Sequence, residues 1–255
     1  MAVAHKGAIS FGLVHIPVDL YTATQDVGIR FNQLHNKCKS RIRYKKVCPV
    51  CNISDLKPED IVKGYEYEKD KYVIMESEDF ENIKTEKDKT ITILHFADLK
   101  EIDPIFYEKT YYVAPNGSDK AYVLLKTALE SEQKVAIGRT VLGTKETMVT
   151  IRPAKEGLVI ETMYFLEEIK AIPKGYANVE VNPAELDMAK MLINNMTSEF
   201  KPELYRDTYT ERLKEAIQQK INGEEIVELK EVSRTNVIDL MEALKQSVQA
   251  TKKAQ

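Results

Sequence analysis

The spacing of apolar side chains changes once along the 255 residues, from the period of strands to the period of helices, and few architectures accommodate that order. Up to about Ile172, apolar residues come in short alternating or continuous runs separated by turn residues. The runs 8–14, 72–76, 90–96, 110–113, 134–142, 147–152 and 158–165 are seven candidate strands, which points to a barrel or a sandwich. One helix interrupts them: Ser118 or Asp119 can cap a segment in which Tyr122, Leu125, Ala128 and Leu129 share a face. The fold class expected is therefore mainly β with α.

After Asn178 the period is helical. Asn182, Pro183 and Glu185 form a helix start, with a cap, a proline at the first helical position and an acid that can reach back. Leu186, Ala189, Ile193, Met196 and Phe200 then recur three and four residues apart, and Lys201-Pro202 should end the helix. A second helix is expected from Asp207-Thr208, with Tyr209, Leu213, Ala216, Ile217 and Ile221 on one face and a stop at Gly223. A third, capped by Asn236, carries Val237, Leu240, Met241, Leu244 and Val248 behind a linker at 224–235.

The net charge of −3 speaks mildly against a polyanionic partner. Its distribution says more. Arg30, Lys37, Lys39, Arg41, Arg43, Lys45 and Lys46 crowd one segment that contains no Asp or Glu. If 39–46 is extended, Lys39, Arg41, Arg43 and Lys45 point one way, and Ile42 and Tyr44 point the other as anchors. A run of this kind is commonly a solvated surface strand. The absence of any neutralising acid leaves open the other reading, a phosphate-facing surface formed by Lys37, Lys39, Arg41, Arg43, Lys45 and Lys46. Lys6, Arg139, Lys145 and Arg152 lie on or beside other predicted strands. They read as ordinary surface charges, with Arg139 and Lys145 kept as further candidate phosphate contacts.

His35-x2-Cys38 and Cys48-x2-Cys51 use every cysteine of the chain. Two such pairs can fold as knuckles that place four ligands tetrahedrally around one structural Zn²⁺, stapling the ends of the basic segment. The alternatives are buried or incidental free thiols. A redox pair usually sits at a helix N-terminus in a βαβ setting, which the surrounding strand pattern does not supply.

Three cysteines without an export signal argue against a disulfide framework, and no apolar run reaches the roughly 20 residues of a membrane span. A cytoplasmic protein is expected. There is no phosphate-cradling glycine loop, HExxH or GxSxG, and the acids Glu76, Glu78, Asp79 and Glu81 read as a solvated surface, so no enzyme is expected.

Read in order, several segments resemble the bacterial Ku family and together span nearly the whole chain. They are Gly7-Ala8-Ile9-Ser10-Phe11-Gly12-Leu13-Val14-His15-Ile16-Pro17-Val18-Asp19-Leu20-Tyr21, Leu34-His35, Ile61-Val62-Lys63-Gly64-Tyr65-Glu66, Glu101-Ile102-Asp103-Pro104, Tyr111-Tyr112, Ala121-Tyr122 and Leu124-Leu125. Later come Phe200-Lys201-Pro202-Glu203-Leu204-Tyr205, Asp207-Thr208-Tyr209 and Val237-Ile238-Asp239-Leu240-Met241-Glu242-Ala243-Leu244. Two features depart from the pattern: His5 stands where the family commonly has Trp, and of a Lys-rich tail only Lys252-Lys253 remain, which weakens any tail-mediated DNA bridging.

The resemblance implies a β-barrel core, 1–178, whose basic, cysteine-containing insertion at 30–63 meets that of a second subunit to form a homodimeric ring around double-stranded DNA ends. It further implies a dimer-stabilising helical arm at 179–223. A linker and C-terminal helix at 224–255 would recruit an ATP-dependent DNA ligase through Val237, Leu240, Met241 and Leu244, for non-homologous end joining. Two other readings stand beside it: a zinc-ribbon regulator reading DNA sequence through Arg41–Lys46, and a Mg²⁺-dependent nuclease.

Overall fold

The computed structural model describes residues 1–83, 90–142, 145–173 and 180–225, with 244, 245 and 247. The chain divides into two compact units, Met1–Ile172 and Pro173–Gln255. In chain order the first contains β1 (His5–Phe11), β2 (Val14–Thr22), β3 (Val47–Cys48), β4 (Ile53–Ser54), β5 (Lys63–Glu68), β6 (Lys71–Met75) and helix α1 (Ser77–Ile83). There follow β7 (Thr90–Asp98), β8 (Tyr107–Pro115), α2 (Asp119–Glu132), β9 (Lys134–Leu142), β10 (Lys145–Ala154) and β11 (Gly157–Met163).

Seven strands close a barrel in the order β1-β2-β8-β11-β10-β9-β7. All neighbours are antiparallel except β1 and β7, whose short parallel pairing of Ala8–Ser10 with Thr90–Thr92 shuts the ring and removes the edge. Alternate residues point inward: Ile9 of β1, Ile16, Val18 and Leu20 of β2, Ile91, Tyr111, Val113, Val149, Ile151, Leu158 and Ile160 form one buried cluster. Helix α2 packs on β2, β9 and β10 and adds Tyr122, Leu125 and Leu129 to that cluster. Ser118 stands at its N-cap, as the sequence suggested, but makes no side-chain capping bond.

Membership of the barrel differs from the sequence reading at two places. The run 72–76 corresponds to β6, which pairs with β5 alone and lies outside the barrel. Its place is taken by β2, hidden in the sequence by Pro17. Proline removes a ladder donor, yet here β8 pairs with β2 only from Val18 onward, so Pro17 interrupts one ladder at most. Pro153 is placed likewise, beyond the last β9–β10 pair, Ile151 with Ala136. A further device is the register shift in β7 between Ile93 and His95, opposite Gly138. A Cβ on Gly138 would lie 2.6 Å from the Thr92 carbonyl oxygen, so only glycine permits β7 and β9 to approach this closely.

In the second unit, α3 (Pro183–Met196) is capped by Asn182, whose Oδ1 accepts from the Ala184 N–H at 3.0 Å. It stops four residues before the expected Phe200. Thr197 takes an extended backbone while its hydroxyl donates to the Ile193 carbonyl at 2.7 Å, and Phe200 instead stacks on Tyr205 with centroids 5.5 Å apart. Helix α4 (Thr208–Ile221) is capped by Asp207, which accepts from the Thr210 N–H at 2.9 Å, and it ends just before Gly223. Of the third expected helix, Val237, Leu240, Met241 and Val248 lie outside the described residues, as does most of the 224–235 linker; Leu244, Lys245 and Ser247 are helical. Among the described residues no helix is long and apolar enough to cross a membrane.

Candidate nucleic-acid interface and thiol knuckles

Among the described residues, those between β2 and β7 belong to no barrel strand. They begin with two successive hairpins. In the first, Leu34 bridges Arg41, His35 N–H donates to Ser40 O at 2.9 Å, and Ile42 N–H donates to Gln33 O at 3.1 Å. In the second, β3 pairs with β4, and the Asp55 and Leu56 N–H groups both donate to Lys46 O, at 3.0 and 2.8 Å. The basic segment therefore runs through the first hairpin and into the second.

Every residue from Lys37 to Lys46 is exposed. Lys37, Lys39, Arg41, Arg43 and Lys46 have no ion-pair partner among the described residues, Lys39 donating only to the neutral Asn36 amide at 3.1 Å, whereas Lys45 pairs with Asp55 at 3.2 Å. Five uncompensated cations on ten residues make a strongly positive surface. The expected single extended strand is corrected in two respects. Lys39 has φ +56 and forms the turn, so it does not share a face with Arg41, Arg43 and Lys45. Tyr44 is 81% exposed, its hydroxyl donating to Gln33, and Ile42 is 47% exposed, so neither is buried as an anchor.

The two hairpin tips hold the two ligand pairs, and they are built alike. His35 Nδ1 lies 3.1 Å from Cys38 Sγ and accepts from the Cys38 N–H at 3.4 Å. At the other tip, the Cys51 N–H, the Cys51 thiol and the Val50 N–H all donate to the Cys48 sulfur and hold its pKa below the usual thiol range. That same contact and the charge on Cys48 push the Cys51 thiol upward. Hydrogen bonds from the Ser40 hydroxyl and the Ser40 N–H lower Cys38. Each pair is followed directly by a left-handed residue, Lys39 at φ +56 and Asn52 at φ +54, which turns the chain back after the second member. Among the described residues, however, no three or more His, Cys, Asp or Glu side chains converge as a metal-ligand group. The structure forms each half and does not bring the halves together.

Other predicted cations are already engaged. Arg139 pairs with Glu146 at 3.3 Å, and Lys145 pairs with Glu168 at 2.5 Å. Arg152 donates from Nε and Nη2 to one oxygen of Glu161, at 2.9 and 2.7 Å, in a half-buried pair on the barrel. Such partners compete with any phosphate, which separates these residues from the hairpin cations.

One feature escaped the sequence reading. The β5–β6 hairpin is exposed on both faces, with Tyr65, Tyr67, Tyr72, Val73 and Ile74 in water and the Lys63 ammonium 4.9 Å from the centre of the Phe80 ring. Its signal was the alternation Tyr65-Glu66-Tyr67-Glu68. A lone two-stranded hairpin is marginal in water, so a surface of this kind suits a partner. Among the described residues no recognition helix directly follows the second knuckle. The chain continues through a single turn at Pro58–Asp60 into β5, and α1 is short and opens with Glu78 and Asp79.

Barrel and insertion together define a class: a closed-barrel scaffold that projects an uncompensated cationic surface suited to an anionic polymer. Comparison makes the assignment specific. The sequence profile of the Ku70/Ku80 beta-barrel domain matches residues 10–188. A protein named "Non-homologous end joining protein Ku" from Lachnoclostridium phytofermentans is 53% identical over 252 residues, covering 98% of each chain. Proteins of the same name from Archaeoglobus fulgidus, 41% identical across 99% of this chain and 100% of the relative, and from Bacillus subtilis, 39% identical across 97% and 82%, are also similar. The chain belongs to the Ku family.

Proposed function

We propose that this protein is a homodimeric ring that threads double-stranded DNA ends without reading their sequence and hands them to an ATP-dependent DNA ligase in non-homologous end joining, in the cytoplasm at the nucleoid. The observation that carries the reading is the exposed segment Lys37–Lys46, with five cations lacking an acidic partner among the described residues, in a member of the Ku family. Phosphate contacts carry little base information, so cations of this kind supply affinity irrespective of sequence. A closed ring adds selectivity by topology, since it can load only where the duplex stops. The exposed β5–β6 hairpin suits contact with a second subunit, and the 179–223 arm is assigned to stabilising the dimer. The segment bearing Val237, Leu240, Met241 and Leu244 is assigned to the ligase. The ring works by binding and positioning, with no bond made or broken on its own side chains.

The reading includes one structural Zn²⁺ per chain, held by His35, Cys38, Cys48 and Cys51. The matching geometry of the two tips and the soft sulfur and imidazole donor set support it. Zinc would supply a rigid junction between the two hairpins, fixing the spacing of their cations.

The test is retention on linear duplex against covalently closed plasmid across a salt series. Tight binding to the linear form alone, falling steeply with salt, is expected; equal retention of the two forms contradicts the proposal.

A further inference from the structure

The tyrosines of this chain differ in their electrostatic setting. Tyr44 stands between Arg43 and Lys45, and no other of the 13 tyrosines has a cation on each side. The exposed Tyr65 and Tyr67 of β5 are interleaved instead with Glu66 and Glu68, whose charge opposes an anionic polymer. Tyr44 is also held in place without being covered. Gln33, across the first hairpin, accepts twice from the same segment: its backbone carbonyl from the Ile42 N–H at 3.1 Å, and its side-chain oxygen from the Tyr44 hydroxyl. The tether takes the edge of the ring and leaves its faces open, with 81% of the residue exposed. Elsewhere rings are occupied, Phe200 by Tyr205 and Phe80 by the Lys63 ammonium. Among the described residues no ring or ammonium lies over Tyr44.

We infer that Tyr44 stacks on an unpaired base, so that the first hairpin takes the single-stranded overhang of a DNA end. The inference rests on the DNA-end reading above and adds to it a class of end. Inside a duplex both faces of every base are covered by its neighbours, and a protein around it meets phosphate and sugar. An overhang offers phosphates and bare base faces together. Cations beside an open aromatic ring suit that combination: the cations follow the backbone, and the ring accepts any base, because every base has a π-face. Arg41, Arg43 and Lys46, without an acidic partner among the described residues, place the charge on both sides of Tyr44. The bond to Gln33 already limits the ring's freedom, so little is lost when a base settles on it. The contact reads no sequence, which keeps it compatible with broken ends of any origin.

The experiment uses the full chain and two linear duplexes of equal length, one blunt and one with a short 3′ overhang that carries 2-aminopurine between thymines. The parent chain should quench the 2-aminopurine fluorescence on binding, as a ring stacked on that base does, and Tyr44→Ala should abolish the quench. The ratio of affinities for the overhang and blunt duplexes should fall by about fivefold or more in Tyr44→Ala. In Tyr44→Phe, which keeps the ring and loses only the hydroxyl, it should stay within about twofold of the parent value. The salt slope should be the same in all three chains, because stacking releases no counterions. A ratio unchanged by Tyr44→Ala, an overhang left unquenched by the parent chain, or a Tyr44→Phe variant as impaired as Tyr44→Ala overturns the inference. So does an altered assembly of Tyr44→Ala in sedimentation, which would give the ring to a subunit contact. The two readings fail separately: a parent chain that does not bind the blunt duplex defeats the DNA-end reading, whereas intact blunt binding without a quench defeats the stacking alone.

Discussion

The phenol oxygen of Tyr122 sits in a notch opened by Gly157. It accepts the Leu158 N–H at 2.7 Å and donates to the Val113 carbonyl at 2.7 Å, and a Cβ on Gly157 would lie 2.9 Å from it. One hydroxyl thus ties α2 to β8 and β11 at the end of the barrel. Gly157→Ala should destabilise by about 1–3 kcal/mol through overpacking. Tyr122→Phe should cost a similar amount, about 1–3 kcal/mol, by leaving a buried N–H and a carbonyl without their partner. The double variant should be less destabilised than the sum, because the second change removes the atom that clashes. Urea midpoints of the three variants check this, and strict additivity would show that the hydroxyl is not the obstacle.

The hairpin cations and the barrel cations should separate in a DNA-binding assay. Arg41→Glu with Arg43→Glu should weaken binding to linear duplex by more than about tenfold and reduce the salt slope by about 2. Arg139→Ala should change affinity by less than about twofold, since its guanidinium is held by Glu146 and a surface pair of this kind contributes little. Sedimentation of each variant should show an unchanged assembly.

Helix α4 should depend on acid through Asp207. The Thr210 hydroxyl, and then the Thr210 N–H, hold this carboxyl below the ordinary range. Its stabilising contribution is therefore complete above the ordinary carboxylate pKa and disappears as pH falls through the depressed value. The difference in melting temperature between the parent chain and Asp207→Ala should be largest near neutrality and shrink toward zero in strong acid. A difference independent of pH would remove the carboxylate from this role.

Protein purified without chelator should carry about one zinc per chain. His35→Ala and Cys38→Ala should each lower that content and loosen the first hairpin. Elemental analysis of the parent and the two variants measures it, and a content well below one in the parent contradicts the zinc reading.

The parts of the fold that rest on local chemistry were legible in the sequence. The caps at Asn182 and Asp207 announce α3 and α4 because the capping bond spans two or three residues, and the run 134–142 matches β9 residue for residue. What escaped depended on partners distant in sequence. Pro17 disguised β2, since its tolerance depends on where β8 begins to pair. The run 72–76 has strand character without any sign that its only neighbour is β5. For the candidate site, the density of cations between Arg30 and Lys46 could be read directly. That Lys39 turns the chain at φ +56, and that the N–H groups of Val50 and Cys51 are aimed at the Cys48 sulfur, are properties of backbone direction that residue types do not carry.

Threading is tested most directly by topology. The protein would be loaded on a linear duplex, the duplex circularised by ligation, and the complex washed at a salt concentration that strips protein from open DNA. A ring predicts retention on the closed circle and release once a restriction enzyme cuts it. Equal loss from the circle and from the cut duplex would mean that the protein lies on DNA rather than around it.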